Sequence, residues 1–205
     1  MGSSTREKRC VSERLKGLFE LAERDGRCLA GDAPWLASAL GVRTKNGGVI
    51  RVRRGLYART SYWVDLSPVE RHLHVARALA REHPDWVFCR MTAAMALGLS
   101  MTYARHDFEG LPIEIAAPSE AHCGERNGIR MLPRLGSDTV WRASGLLVAS
   151  PAQTVFDCVR CLPFDESLAM ADSALHMKLM EGSEFAGLVV GAGRSRGIRN
   201  ARRVL

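Results

Sequence analysis

Apolar residues return at helical spacing early in the chain. Val11, Leu15, Leu18, Leu21 and Ala22 share one face, and Asp25-Gly26 closes the pattern, which predicts an amphipathic helix over 11–25. Asp32 reads as an N-cap with Pro34 just inside a short second helix carrying Trp35, Leu36, Ala39 and Leu40 and ending at Gly41. Val49-Ile50-Arg51-Val52 and Leu56-Tyr57-Ala58 are short β-type runs, with Arg53-Arg54-Gly55 as the turn between them. Helix, helix, basic connection and hairpin together predict a winged helix-turn-helix over 10–62.

A second body is predicted over 66–180. Ser67-Pro68-Val69-Glu70 has the form of a capping box, opening a helix through Leu73, Ala76 and Ala80 that stops at His83-Pro84. Trp86–Cys89, Pro112–Ala116, Ile129–Leu132 and Leu146–Ala149 read as strands, with a further edge strand over Thr139–Arg142. Asn127-Gly128 supplies the turn before the third of these runs. Thr92–Leu97 reads as a short helix ended by Gly98. Ser150-Pro151-Ala152-Gln153 is a second capping-box pattern, opening a helix with Val155, Phe156, Val159 and Leu162 inward. A last helix spans 164–178, and 181–205 reads as a basic flexible tail. The fold class is thus α/β or α+β, an N-terminal winged helix-turn-helix followed by a mixed α/β domain.

Charge divides the 205 residues unevenly. The net charge is +7, yet between Ala33 and Val64 there is no acid, while Arg43, Lys45, Arg51, Arg53, Arg54 and Arg59 are all basic. From Gly191 onward Arg194, Arg196, Arg199, Arg202 and Arg203 add five more charges, again without an acid. The remainder of the chain is slightly acidic. Solvated faces normally mix signs, so an unmixed basic segment points to a polyanionic partner. No run approaches the roughly 20 apolar residues of a membrane span. The N-terminus lacks the apolar stretch of a signal peptide, and Arg6 stands where a myristoylation signal has Ser or Thr. The expectation is a cytoplasmic protein, free of membrane, whose six cysteines are reduced thiols.

The familiar catalytic patterns are missing: no Walker loop, no Gly-x-Ser-x-Gly and no His-Glu-x-x-His. Cys158-x-x-Cys161 falls in the second half of its helix, away from the end where the dipole lowers a thiol pKa. Nor does a second ligand pair follow to complete a zinc site. His72 and His74 project about 200° apart on a helix and cannot share an ion. Asp157 and Asp172 lie on consecutive helices, and their convergence with a metal is the enzymatic alternative. The glycine-rich stretch from Gly191 to Gly197 reads as a flexible linker. No catalytic residue, metal site or cofactor is assigned.

The segment from Gly48 to Ala58 (Gly-Val-Ile-Arg-Val-Arg-Arg-Gly-Leu-Tyr-Ala) resembles the wing signature of AbiEi-type antitoxins of type IV toxin–antitoxin systems, in particular their actinobacterial branch. Thr92–Leu99, Gly145–Asp157, Leu162-Pro163 and Ala171–Leu175 continue the resemblance in the family's order, across roughly 15–180. The resemblance is to relatives without the restriction-endonuclease-like C-terminal domain that others carry. Two positions depart from it: the stretch between Gly41 and the wing is short, and Gln153 stands where Arg is common.

What the resemblance implies is a non-enzymatic regulator. Its winged helix would bind double-stranded DNA at its own operator, through Arg43, Lys45, Arg51, Arg53, Arg54 and Arg59. Its second domain would counteract a nucleotidyltransferase-like toxin, whether or not the two touch. The alternatives are a nuclease-associated module or truncated relative of an endonuclease-like protein, and a protein-interaction module that no longer binds DNA.

Overall fold

A computed structural model describes residues 2–101, 110–117, 123–133 and 140–205. The fold is mixed α/β, and the chain divides into two compact units, Met1–Glu82 and His83–Leu205.

The first unit begins with α1 (Gly2–Arg24), β1 (Leu29–Ala30) and α2 (Pro34–Lys45). The hairpin strands β2 (Val49–Arg53) and β3 (Leu56–Arg59) follow, then α3 (Thr60–Asp65) and α4 (Pro68–Glu82). The three strands form an antiparallel sheet in the order β1-β3-β2. Leu15, Phe19 and Ala22 of α1 pack with Leu36 and Leu40 of α2 and with Leu29 and Val49 of the sheet. Each large apolar side chain so buried contributes roughly 1.5–3 kcal/mol.

Several elements of this unit differ from the sequence expectation: α1 begins at Gly2 rather than at Val11, and β1 and α3 have no counterpart in it. Helix α2 does not stop at Gly41 but runs one further turn, because the Arg43 guanidinium and Thr44 hydroxyl donate back to the Ala39 and Leu40 carbonyls. Arg43 and Lys45 therefore belong to a helix end rather than to a connection. Helix α4 was expected in the second body but belongs to the first unit. The Cys28 amide donates to the His74 carbonyl, Arg77 donates to the Gly26 carbonyl, and the Tyr62 hydroxyl meets His74 Nε2 at 2.8 Å. The capping box that opens α4 is formed as expected, Ser67 and Glu70 each bonding the other's amide.

The second unit holds α5 (Arg90–Leu97), β4 (Ile113–Ala116), β5 (Gly124–Arg126), β6 (Ile129–Leu132), β7 (Val140–Ala143) and β8 (Leu146–Ala149). Helices α6 (Pro151–Val159), α7 (Phe164–His176), α8 (Gly182–Gly191) and α9 (Ile198–Val204) complete it. Strands β4-β6-β5 and the hairpin β7-β8 are joined through Phe88, which bridges antiparallel to Ile115 and parallel to Val148. The expected strand at Trp86–Cys89 is thus present as a short central link, fully buried at Phe88. Thr139, expected in the edge strand, lies outside the described residues. Asn127 and Gly128 both take positive φ, as the tight β5–β6 turn requires.

The second capping box is half formed. Ser150 accepts from the Gln153 amide N–H, but the Gln153 side chain turns into the interior instead of reaching back.

The stretch expected to be a flexible basic tail is ordered as α8 and α9. Phe185, Val189, Ile198 and Ala201 are buried, and Glu181 with Glu184 forms a capping box that the Ser/Thr rule does not detect. Gly197, at φ +76°, lets this segment lie against the Arg160 carbonyl, where a Cβ would come within 2.1 Å of the oxygen. The glycine needed for a linker is here needed for packing.

Candidate nucleic-acid interface

The six basic residues of the first unit do not share one environment. Arg51 and Arg54 are exposed on the hairpin, and Lys45 is exposed at the end of α2. Arg43 is half-buried, its guanidinium held by the Ala39 carbonyl and by Ser12 Oγ at 3.1 Å. These two contacts give the guanidinium a fixed direction. No described acid forms an ion pair with any of these four.

Arg53 departs from the expected wing. Strict alternation along β2 would place it on the same side as Arg51. The pairing runs Arg51 with Tyr57 and then Arg53 with Leu56, skipping Val52, so the β-bulge sends Arg53 to the opposite face with buried Leu56. There one guanidinium nitrogen is buried without a hydrogen-bond partner, and burial lowers its pKa. Its charge adds to the burial of His72, which pushes that imidazole down to about 4.

Arg59 departs as well. Both its Nε and Nη2 donate to the Glu23 carboxylate of α1, a bidentate pair that raises the Arg59 pKa and neutralises it locally. The cations left open to a partner are therefore Arg43, Lys45, Arg51 and Arg54.

A polar site that the sequence does not announce lies in the second unit. The register of β4, β6 and β5 lines up Glu114, Arg130 and Glu125 in one row. Arg130 bridges the two acids, 3.3 Å from Glu114 Oε1 and 2.7 Å from Glu125 Oε2. Glu114 is buried and also accepts from the Met91 amide N–H at the start of α5, yet desolvation still raises its pKa. Arg90, Glu114 and Arg130 line a cavity of about 230 Å³ with Cys158, Cys161 and Leu162. Arg90 has φ +46°, a region costly for a side chain with a Cβ.

Asp157 is buried nearby on α6, 3.6 Å from Arg160, and burial raises its pKa to about 6. The Gln153 amide one turn earlier and the Arg90 and Arg160 charges offset part of that rise. Asp172, paired with Asp157 in the enzymatic alternative, is exposed on α7. Cys158 is buried, with its thiol pKa pushed well up, while Cys161 is exposed beyond the helix end. Among the described residues no three His, Cys, Asp or Glu side chains are grouped to hold a metal ion. The only sequence signal for this site is a single carboxylate between two isoleucines, Ile113-Glu114-Ile115.

No described helix is long and apolar enough to cross a membrane. No protein-family model, no curated protein and no solved structure matches the chain.

Proposed function

We propose that this chain is a cytoplasmic, non-enzymatic regulator that binds double-stranded DNA through its first unit. In keeping with its resemblance to AbiEi-type antitoxins, it represses its own operon and counteracts a nucleotidyltransferase-like toxin. The observation that carries the reading is the set of four cations at the end of α2 and on the β2–β3 hairpin that have no acidic partner among the described residues. The order helix, strand, helix, hairpin, with the lone strand paired to the second hairpin strand, supports a winged-helix docking mode. In that mode Arg43 and Lys45 approach the major groove, and Arg51 and Arg54 contact phosphates as the wing.

Titrating duplex DNA from the upstream region of its gene against the protein at increasing salt tests this. With Arg43 and Lys45 also neutralising phosphates beside the groove, the four cations contribute roughly −3.6 to the slope of log K against log salt, and Arg51→Gln with Arg54→Gln reduces its magnitude by about 1.8. Absent or salt-insensitive binding rejects the reading.

A further inference from the structure

The five arginines after Gly191 lie outside the unit that carries that reading, and the structure changes what they are. In α9 the side chains of Ile198 and Ala201 are buried. Between them on the other flank, the Asn200 amide donates to the Val159 carbonyl at 2.7 Å, the Leu162 carbonyl at 3.1 Å and Ser167 Oγ at 2.9 Å. That amide closes carbonyls left open where α6 ends, and it fixes the rotation of α9 about its axis. With the inward side so defined, steps of about 100° per residue put Arg199, Arg202 and Arg203 on one outward face, as neighbours at i, i+3 and i, i+4.

Contacts within the unit hold this face without neutralising it. Arg203 stacks over the Phe164 ring at 4.1 Å, and Arg202 donates to the Gly193 carbonyl. The Arg196 carbonyl receives the Arg160 Nε–H at 2.8 Å, which pins the turn carrying Arg194 and Arg196. All five guanidinium groups are exposed, and none forms an ion pair with a described residue. Arginine alone, with no lysine and with the one aromatic ring, Phe164, covered by Arg203, suits bidentate capture of phosphate better than a protein hot spot.

We propose that the Arg194–Arg203 face of α9 and its preceding turn is a second duplex-DNA contact surface, reading phosphates without regard to sequence. The proposal rests on the chain being a duplex-binding protein and adds a contact that the first unit does not supply.

The test compares salt titrations of one fluorescent DNA duplex with three full-length proteins: wild type, Arg194→Gln/Arg196→Gln/Arg199→Gln, and Arg51→Gln/Arg54→Gln. These three C-terminal side chains make no hydrogen bond to a described residue, so the fold is expected to survive, with an unchanged melting midpoint as the check. The C-terminal variant is expected to lose about 2.7 from the magnitude of the slope, roughly 0.9 per contact. The corresponding lysine variant is expected to restore the slope. An unchanged slope in the glutamine variant overturns the proposal, and a reduced slope in the hairpin variant then shows the regulator reading intact. The reverse pattern upholds the C-terminal surface and removes the hairpin from the interface. Binding of polyglutamate in place of the duplex, lost in the C-terminal variant, also overturns the proposal and marks the face as one for an acidic protein.

Discussion

The two units bury ionisable groups of opposite kind. The first encloses imidazoles: His72 and His74 are both buried, and burial lowers the pKa of each. The second encloses carboxylates, Glu114 and Asp157, and burial raises both. Desolvation penalises whichever form is charged, so each unit is most stable where its interior group is neutral. The surface asymmetry of a basic N-terminal segment thus has an interior counterpart, and acid is expected to act on the two units in opposite directions.

The largest expected effect separates the units. Gly197→Ala places a Cβ against the Arg160 carbonyl at a positive φ, and backbone must move to admit it. The expected cost is upward of about 3 kcal/mol. Peptide-resolved hydrogen exchange should show protection lost across α6, α7 and α9 and kept across α1 and α2. Equal loss in both units would show that they do not open separately.

The pH comparison comes next. His72 titrates near 4 when folded and near 6.5 when unfolded, so on acidification the unfolded chain takes the proton first. Its contribution is whole above about pH 6.5 and declines toward pH 4, a change of roughly 3 kcal/mol. Asp157 titrates near 6 when folded and near 3.8 when unfolded, so here the folded chain takes the proton first. Its contribution is whole below about pH 4 and is lost as pH rises through 6, again by roughly 3 kcal/mol. Hydrogen exchange between pH 4 and 7, corrected for the intrinsic rate, should show the two trends crossing. His72→Gln is expected to flatten the first, and Asp157→Asn the second. Parallel trends in both units would break the comparison.

The smallest effect sharpens it. Glu23→Gln removes the carboxylate that clasps Arg59. That pair is only half-buried, so the stability cost in urea is less than about 1 kcal/mol. The freed guanidinium steepens the DNA salt slope by about 0.9 if it reaches a phosphate. An unchanged slope would place Arg59 outside the interface even when uncapped.

Most of the secondary structure follows from local signals. The Ser67–Glu70 capping box, the Gly98 helix stop and the Asn127-Gly128 turn form where their residues require them. The candidate interface is less legible. A bulge at Val52 is a property of how two strands register, and no residue near it marks the slip; that slip decides that Arg51 and Arg53 face opposite ways. Glu23 lies 36 residues from the arginine it neutralises. The buried Glu114 gives no hint of its partners, because Arg130 and the Met91 amide are brought to it by a parallel strand pairing and a helix start.

By itself the chain of residues determined most of the helix and strand positions, though not β1, α3, α8, α9 or the outer ends of α1 and α2, and that its positive charge lies in two acid-free stretches. These depend on neighbours within a few positions, on capping, periodicity and turn chemistry. Only the tertiary structure decided which charges remain available. The availability of a guanidinium depends on what long-range pairing places beside it: solvent for Arg51 and Arg54, a carboxylate for Arg59 and the interior for Arg53. It likewise turned the C-terminal arginines from a flexible tail into a fixed face, because Asn200, Ile198 and Gly197 find partners only in the packed unit.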